Sequence, residues 1–305
     1  MKTWKPILTV VILVLCISFP FYAGAYPQRV ATTIIMYATL ALSWDMMFRS
    51  GQPGLSVAGF FGLGGYAAAL SFLYWGVNPL VSIALGCLFS LLVAFILGLV
   101  ILRIRGLYFS IATMALSEIF RVIVMNWHRF TGGPSGKALP SAVFDGDSAK
   151  MFWLFLVLAL LTIIVSEIFE RSRVHFALTS IRNNEIVAKS SGIDVFKYLV
   201  VVFALTSALQ GMIGGAYAHS YAFISPEGSF NFNFVLLPVT MALFGGIHST
   251  LGPIVGAVIL GVVGEYLKLQ LPYGHLLVYG VIIVIVILFL PKGIVGTAKE
   301  WLRRK

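Results

Sequence analysis

Apolar runs long enough to cross a bilayer recur along the chain, separated by short polar stretches. A helix rises about 1.5 Å per residue, so about twenty apolar residues cross the roughly 30 Å hydrocarbon core. On this pattern spans are expected at residues 7–22, 30–48, 57–76, 79–102, 107–127, 151–169, 198–218 and 276–290. Two further runs, 234–246 and 254–267, are shorter, the first reaching only about 20 Å. They predict a short or broken helix pair near 234–267, whose irregular backbone must be covered by protein or line a cavity. The sum is an all-α polytopic membrane protein with about ten membrane segments, in a single domain over 1–305. The first run, which ends in Ala23-Gly24-Ala25, also resembles a secretory signal with a small-residue cleavage site. We take it as a retained first span, and the later topology is the same either way.

The longest polar, helix-forming stretch lies within residues 170–197. Leu178, Ile181, Glu185 and Ala188 fall on one helical face, and Glu185 stands four residues before Lys189 in the favourable orientation. Gly192 is placed to stop this helix, expected over 178–191, and Asp194 to cap the next one. Charges inside spans are few. Asp45 and Arg49, one turn apart, are expected to satisfy each other near the inner interface. Glu118 and Arg121, three residues apart in one span, are expected to turn inward, because charged groups facing lipid are costly. That pair serves either as a substrate-pathway or gate element or as a structural ion pair. Gly62 and Gly65, in a run crowded with small residues, and Gly245 and Gly246 allow close helix approach or a broken helix beside a cavity, and are candidates, with Glu118 and Arg121, for a substrate pathway or gate.

Composition narrows the class. The chain has 305 residues, is 59% hydrophobic and only 10% charged, with a mean hydropathy of +0.97, which rules out an ordinary soluble domain. Cys16 and Cys87 lie in apolar runs and the five histidines lack ligand spacing, so neither a metal site, a cofactor nor a disulfide framework is indicated. The net charge of +10 is explained by basic loops without a nucleic-acid partner. Placing Arg49, Arg103, Arg105, Arg171, Arg173, Arg182, Lys189 and Lys197 inside, with both termini, leaves a minority of basic residues outside: Arg29, Arg129, Lys137, Lys150 and Lys268. This orientation puts residues 170–197 in the cytoplasm. Two segments imitate catalytic motifs. Gly132 to Ala138 has one residue too few for a phosphate loop and lacks the hydroxyl after Lys137, and Ser135 lies in a polar, turn-rich stretch instead of opening a buried helix. No catalytic residue is expected.

Several stretches resemble one family. Arg182-Asn183-Asn184-Glu185-Ile186-Val187-Ala188 followed by Gly192 is similar to the cytoplasmic coupling loop of ABC-transporter permeases of the branched-chain amino acid (LivM-like) type. Elsewhere in the chain, Thr113 to Arg121, Asn126-Trp127, Thr131 to Gly133, Gly245 to Pro253 and Pro291 to Gly296 resemble the same family at their own positions. Val187 departs from the pattern, where a small Ala is more usual, and His248 is an unusual occupant. The resemblance implies a permease subunit of an importer in the bacterial inner membrane, without ATPase activity of its own. It further implies two cytoplasmic ATPase subunits, a second homologous permease and an extracytoplasmic solute-binding protein. Arg182, Asn183, Glu185, Ala188 and Gly192 would then couple the permease to ATP hydrolysis. The substrate would be a branched-chain or related amino acid, with urea or another small solute also within the class. The competing class is a stand-alone channel or ion-coupled transporter using Asp45, Glu118 and Arg121.

Overall fold

The computed structural model describes residues 15–270, 278, 280–281, 284 and 293–304. In chain order its principal helices are α1 (Ala25–Phe48), α2 (Val57–Trp75), α3 (Pro79–Ile101), α4 (Gly106–Asn126), α5 (Ser148–Arg171), α6 (Arg173–Asn183), α7 (Glu185–Ser190), α8 (Val195–Tyr221), α9 (Asn233–Gly245), α10 (Leu251–Gln270) and α11 (Gly293–Arg304). Among the described residues, eight helical stretches are long and apolar enough to cross a membrane: α1 to α5, α8, α10 and residues 226–245. The span expected at 276–290 and the first part of that at 7–22 fall largely outside the described residues; residues 15–22 are helical.

Helix ends follow local chemistry. Gly76 adopts a left-handed conformation (φ 61°) that ends α2, and the Asn78 side chain then accepts from the Leu80 N–H, with Pro79 opening α3. α1 starts five residues before the expected Val30, because the Gln28 amide donates to the carbonyls of Pro20 and Ala23 at 3.0 and 2.8 Å and holds the incoming chain.

α8 is the axis of the bundle, buried along most of its length against α2 and α3. Small residues make that seam. A Cβ on Gly214 would lie 1.8 Å from the Phe61 carbonyl oxygen, one on Gly64 would lie 2.3 Å from Gly211 Cα, and one on Gly86 would lie 2.5 Å from the Gly64 oxygen. The three backbones therefore touch directly, which in an apolar solvent is how helices gain packing energy. α1 packs on α5 on one side and on the α9–α10 pair on the other.

The expected short pair is asymmetric. α9 has 13 residues and carries Pro238, whereas α10 has 20 and is of crossing length. The helical turn Pro226–Ser229 precedes α9, and only residues 226–245 together reach crossing length. At the end opposite the α9–α10 turn, Lys137–Ala138 pairs antiparallel with Phe223–Ile224, joining the loop after α4 to the loop after α8. Gly136 (φ +70°) turns into this pairing, and Ser135 is exposed on a short 3-10 turn, so neither imitation of a catalytic motif has the surroundings its chemistry needs.

Candidate functional site: the polar end of the bundle and the charged face of α4

The stretch 170–197 does not form the single helix expected over 178–191. It breaks at Asn184, whose backbone is extended (φ −162°, ψ 107°) and whose side-chain oxygen accepts from the Ile186 and Val187 N–H groups at 3.0 and 3.2 Å. Asn side chains compete with the helix for backbone donors in this way, so Asn184 starts a new helix instead of continuing the old one. The expected stop is present. Gly192 is left-handed (φ +82°), its N–H bonds to the Lys189 carbonyl at 3.0 Å, and the Ile193 N–H reaches back to Ala188 at 3.1 Å, the double bond of a Schellman ending. Asp194 caps α8 by accepting from the Lys197 N–H.

Side chains of this element divide between two directions. Leu178, Ile181 and Ala188 are buried. Glu185 faces the bundle, where it takes Lys189 at 2.9 Å and Arg105, from the turn before α4, at 3.2 Å. The Lys189 hydrogen bond, with Arg105 beside it, holds Glu185 below the usual carboxylate range despite partial burial. The stem of Arg182 lies against Gly51 (φ +80°), where an added Cβ would meet Arg182 Cγ at 3.1 Å. Large apolar side chains also point outward: Phe176, Ile186 and Val187 are 67%, 77% and 58% exposed, among exposed polar residues that include Asn183, Asn184 and Lys189.

Behind this element lies a charged cluster whose Asp45–Arg49 pair, which the sequence places at an interface, is buried, while its third member, Glu170, is 39% exposed. Arg49 and Asp45 are both 0% exposed and paired at 3.0 Å. Arg49 also reaches Glu170 at 3.4 Å and Ser166 at 3.5 Å. The Thr250 hydroxyl joins Glu170 at 2.9 Å and Ser166 at 3.0 Å, and the His248 N–H donates to Asp45 at 2.6 Å. His248 (φ 63°) stacks on Phe48 at 5.3 Å between ring centres, and burial lowers its pKa to about 4, keeping it neutral. Asp45 and Arg49 are buried because the α9–α10 turn and the end of α5 fold over them. Each is paired locally, but the third and fourth partners come from residues 117 or more positions away, which spacing cannot reveal.

The loops assigned to one side by charge do meet at one end: Arg49, Gly51, Arg105, Glu170, Arg182 and Glu185 form the contacts above. Tyr74, Arg129 and Lys137 gather at the other, through the Tyr74 hydroxyl bonded to the Arg129 carbonyl and a contact between Lys137 and Tyr74.

Glu118 and Arg121 are paired, with Arg121 Nε 2.9 and 3.0 Å from the two carboxylate oxygens. The pair does not turn inward, however. The side chains are 57% and 30% exposed on the outer face of α4, because α4 buries Phe109, Thr113, Leu116 and Phe120, and residues 118 and 121 point away from that stripe. The glycines expected beside a pathway sit in closed contacts: Gly62 against the Phe230 ring, Gly65 near the Gly214 oxygen, and Gly245 against the Gly252 oxygen, while Gly246 turns the chain out of α9 at φ 118°. Two residues with clear partners escaped the sequence reading. Arg105 was placed only among the basic residues of one side, and Glu170 was not singled out. A cavity of about 260 Å³ opens near the opposite end, lined by Arg29, Thr32, Met36, Phe155 and Tyr217 among others.

The apolar helices, with an ion cluster and a two-helix polar element gathered at one end, are those of a polytopic membrane protein. Residues 26–287 match the family described as "Branched-chain amino acid transport system / permease component", and the chain belongs to that family. It is 27% identical to the "High-affinity branched-chain amino acid transport system permease protein LivM" of Salmonella typhimurium, over 96% of this chain and 76% of that protein. The protein of the same name from Escherichia coli is also 27% identical, over 97% and 76%. A "Probable branched-chain amino acid transport permease protein LivM" of Methanocaldococcus jannaschii is 23% identical, over 85% and 90%. No solved structure matches the chain.

Proposed function

We propose that this permease serves an ABC importer of branched-chain amino acids in a bacterial inner membrane, with the α6–α7 element as the seat of a cytoplasmic ATPase subunit. The observation that carries the reading is the exposed triad Phe176, Ile186 and Val187 on an otherwise polar element. Large apolar side chains on a projecting loop are a protein-docking signature. The element is also anchored, by Glu185 to Arg105 and by Arg182 against Gly51, so a push on it reaches α4 and the turn after α1. Glu185 then positions the docking helix, Asn183 rims the contact, and Ala188 and Gly192 set its packing and its end.

A second permease, homologous or identical, covers the exposed face of α4, where a charged pair would otherwise meet lipid. An extracytoplasmic binding protein delivers substrate to the loops joined by the two-residue strands. The stand-alone transporter reading has less support: Asp45 is locked by Arg49 and the His248 N–H, leaving no free carboxylate there to carry an ion.

The test is a variant carrying Ile186→Asp and Val187→Asp, measured for membrane level, ATPase co-purification and uptake of leucine. Normal level with ATPase and uptake both lost is expected. Retained ATPase binding and uptake would refute the docking role.

A further inference from the structure

The charged pair on α4 carries more than a contact with a second permease. Glu118 is eight residues from the end of α4 at Asn126, about 12 Å along the axis, too deep for a short carboxylate to reach the interface. Its exposed neighbours on the same helical face are apolar: Ile111, Met114 and Val122 are 58%, 45% and 45% exposed. A strip with one anion and one cation set between aliphatic side chains has the charge pattern of an aliphatic α-amino acid, inverted.

Resting on the permease reading above, we propose that Glu118 and Arg121 clamp the zwitterionic head group of the amino acid during passage: Glu118 takes the α-ammonium, Arg121 takes the α-carboxylate, and the aliphatic side chain lies along Met114 and Val122. The donor inventory of Arg121 fits. Nε and Nη2 are engaged by Glu118, whereas the partner of Nη1 is the Met125 sulfur at 3.2 Å, a weak acceptor that a carboxylate oxygen outcompetes. Glu227, on the helical turn before α9, lies within electrostatic reach of Arg121 and adds a negative charge on the approach, which favours the ammonium end.

The exchange is balanced. One ion pair within α4 opens and two form with the substrate, so no charge is left unpaired while the site is occupied. An amine or an acid alone would satisfy one partner and strand the other, which is how a site built for polar groups rejects analogues lacking them. Empty, the pair closes on itself and remains neutral overall.

Two measurements on the assembled complex with its ATPase and binding protein test this. In the first, Met114→Cys is modified by a small thiol reagent. Leucine should slow labelling at least threefold, and neither isoamylamine nor 4-methylpentanoate should. Equal protection by either analogue, or no protection by leucine, overturns the clamp. In the second, the double variant Glu118→Gln with Arg121→Gln removes both charges together, so no unpaired charge remains. It should assemble with the ATPase yet lose uptake at least tenfold. Assembly with normal uptake shows the pair to be structural only and also overturns the clamp, and if the double variant does not assemble, the labelling result decides. The permease reading fails on a different observation: the unaltered chain would not bring down an ATPase at all.

Discussion

Replacing Arg49 with Met removes the cation that pairs with both Asp45 and Glu170 at the polar end of the bundle. Among the described residues, Asp45, 0% exposed, would keep the His248 N–H at 2.6 Å as its donor, and Glu170 would keep the Thr250 hydroxyl at 2.9 Å. Breaking a buried pair by deleting one partner costs about 3 to 5 kcal/mol, most of it the cost of the charge left behind. Removing that charge as well should recover a good part of it, so the double variant Arg49→Met with Asp45→Asn is expected to lose less than the sum of the two single variants, by about 0.5 to 3 kcal/mol. Reversible titration of the purified protein with a denaturing detergent, followed by tryptophan fluorescence, measures each unfolding free energy. A cost below about 1 kcal/mol for Arg49→Met, or strict additivity in the cycle, would show that water or lipid head groups reach the Asp45–Arg49 pair and that it is not buried.

Exchanging charges across the α4 anchor, Arg105→Glu with Glu185→Arg, should restore ATPase association that either single variant loses; no restoration would separate Glu185 from Arg105 functionally. Cysteines at Ser249 and Thr250 should react with an impermeant thiol reagent much more slowly than one at Ser190, since Thr250 is buried and Ser190 exposed, and equal rates would place the α9–α10 turn in open solvent. His248, its pKa lowered to about 4 by burial, is neutral in both states above its unfolded value near 6.5. Between those values only the unfolded chain takes the proton, so stability is complete above about pH 6.5 and falls toward pH 4; His248→Gln should flatten that slope in thermal unfolding. Gly214→Leu must displace the Phe61 backbone, 1.8 Å from the new Cβ, and should abolish accumulation in the membrane, whereas Gly76→Asn, at a left-handed position with open space, should accumulate normally.

Most of the membrane architecture was legible because a span is written in consecutive residues: hydropathy and length alone located α1 to α5 and α8 to within a few positions. The stop at Gly192 and the cap at Asp194 were equally local. What escaped depended on distant parts of the chain. Asp45 and Arg49 announce their own pairing by a four-residue spacing, but their burial is decided by Thr250 and His248, about two hundred positions on. The break at Asn184 was open to local reasoning, since Asn favours a cap over a helix interior, but the periodicity through Leu178, Ile181, Glu185 and Ala188 masked it: two short helices in sequence can share a buried face as one helix does. For Glu118 and Arg121 the expectation rested on the cost of charges facing lipid, and the structure puts the pair on an open face because the buried stripe of α4 runs instead through Phe109, Thr113, Leu116 and Phe120.

The backbone contacts among α2, α3 and α8 bear on how movement travels. A seam in which Gly64, Gly86, Gly211 and Gly214 already touch neighbouring main chain has no slack to absorb a displacement by repacking side chains. The 27 residues of α8 make a rod about 40 Å long, joined at one end to α7 through Gly192, Ile193 and Asp194, and leading at the other into the Phe223–Ile224 strand. If a partner docks on α7 as proposed, a shift imposed there would be carried through the full thickness of the bilayer as a translation or tilt of the three-helix body, and would emerge at the opposite end in the two loops stapled by that strand. Stiffness of this kind would let a motor docked on one face set the timing of a mouth on the other.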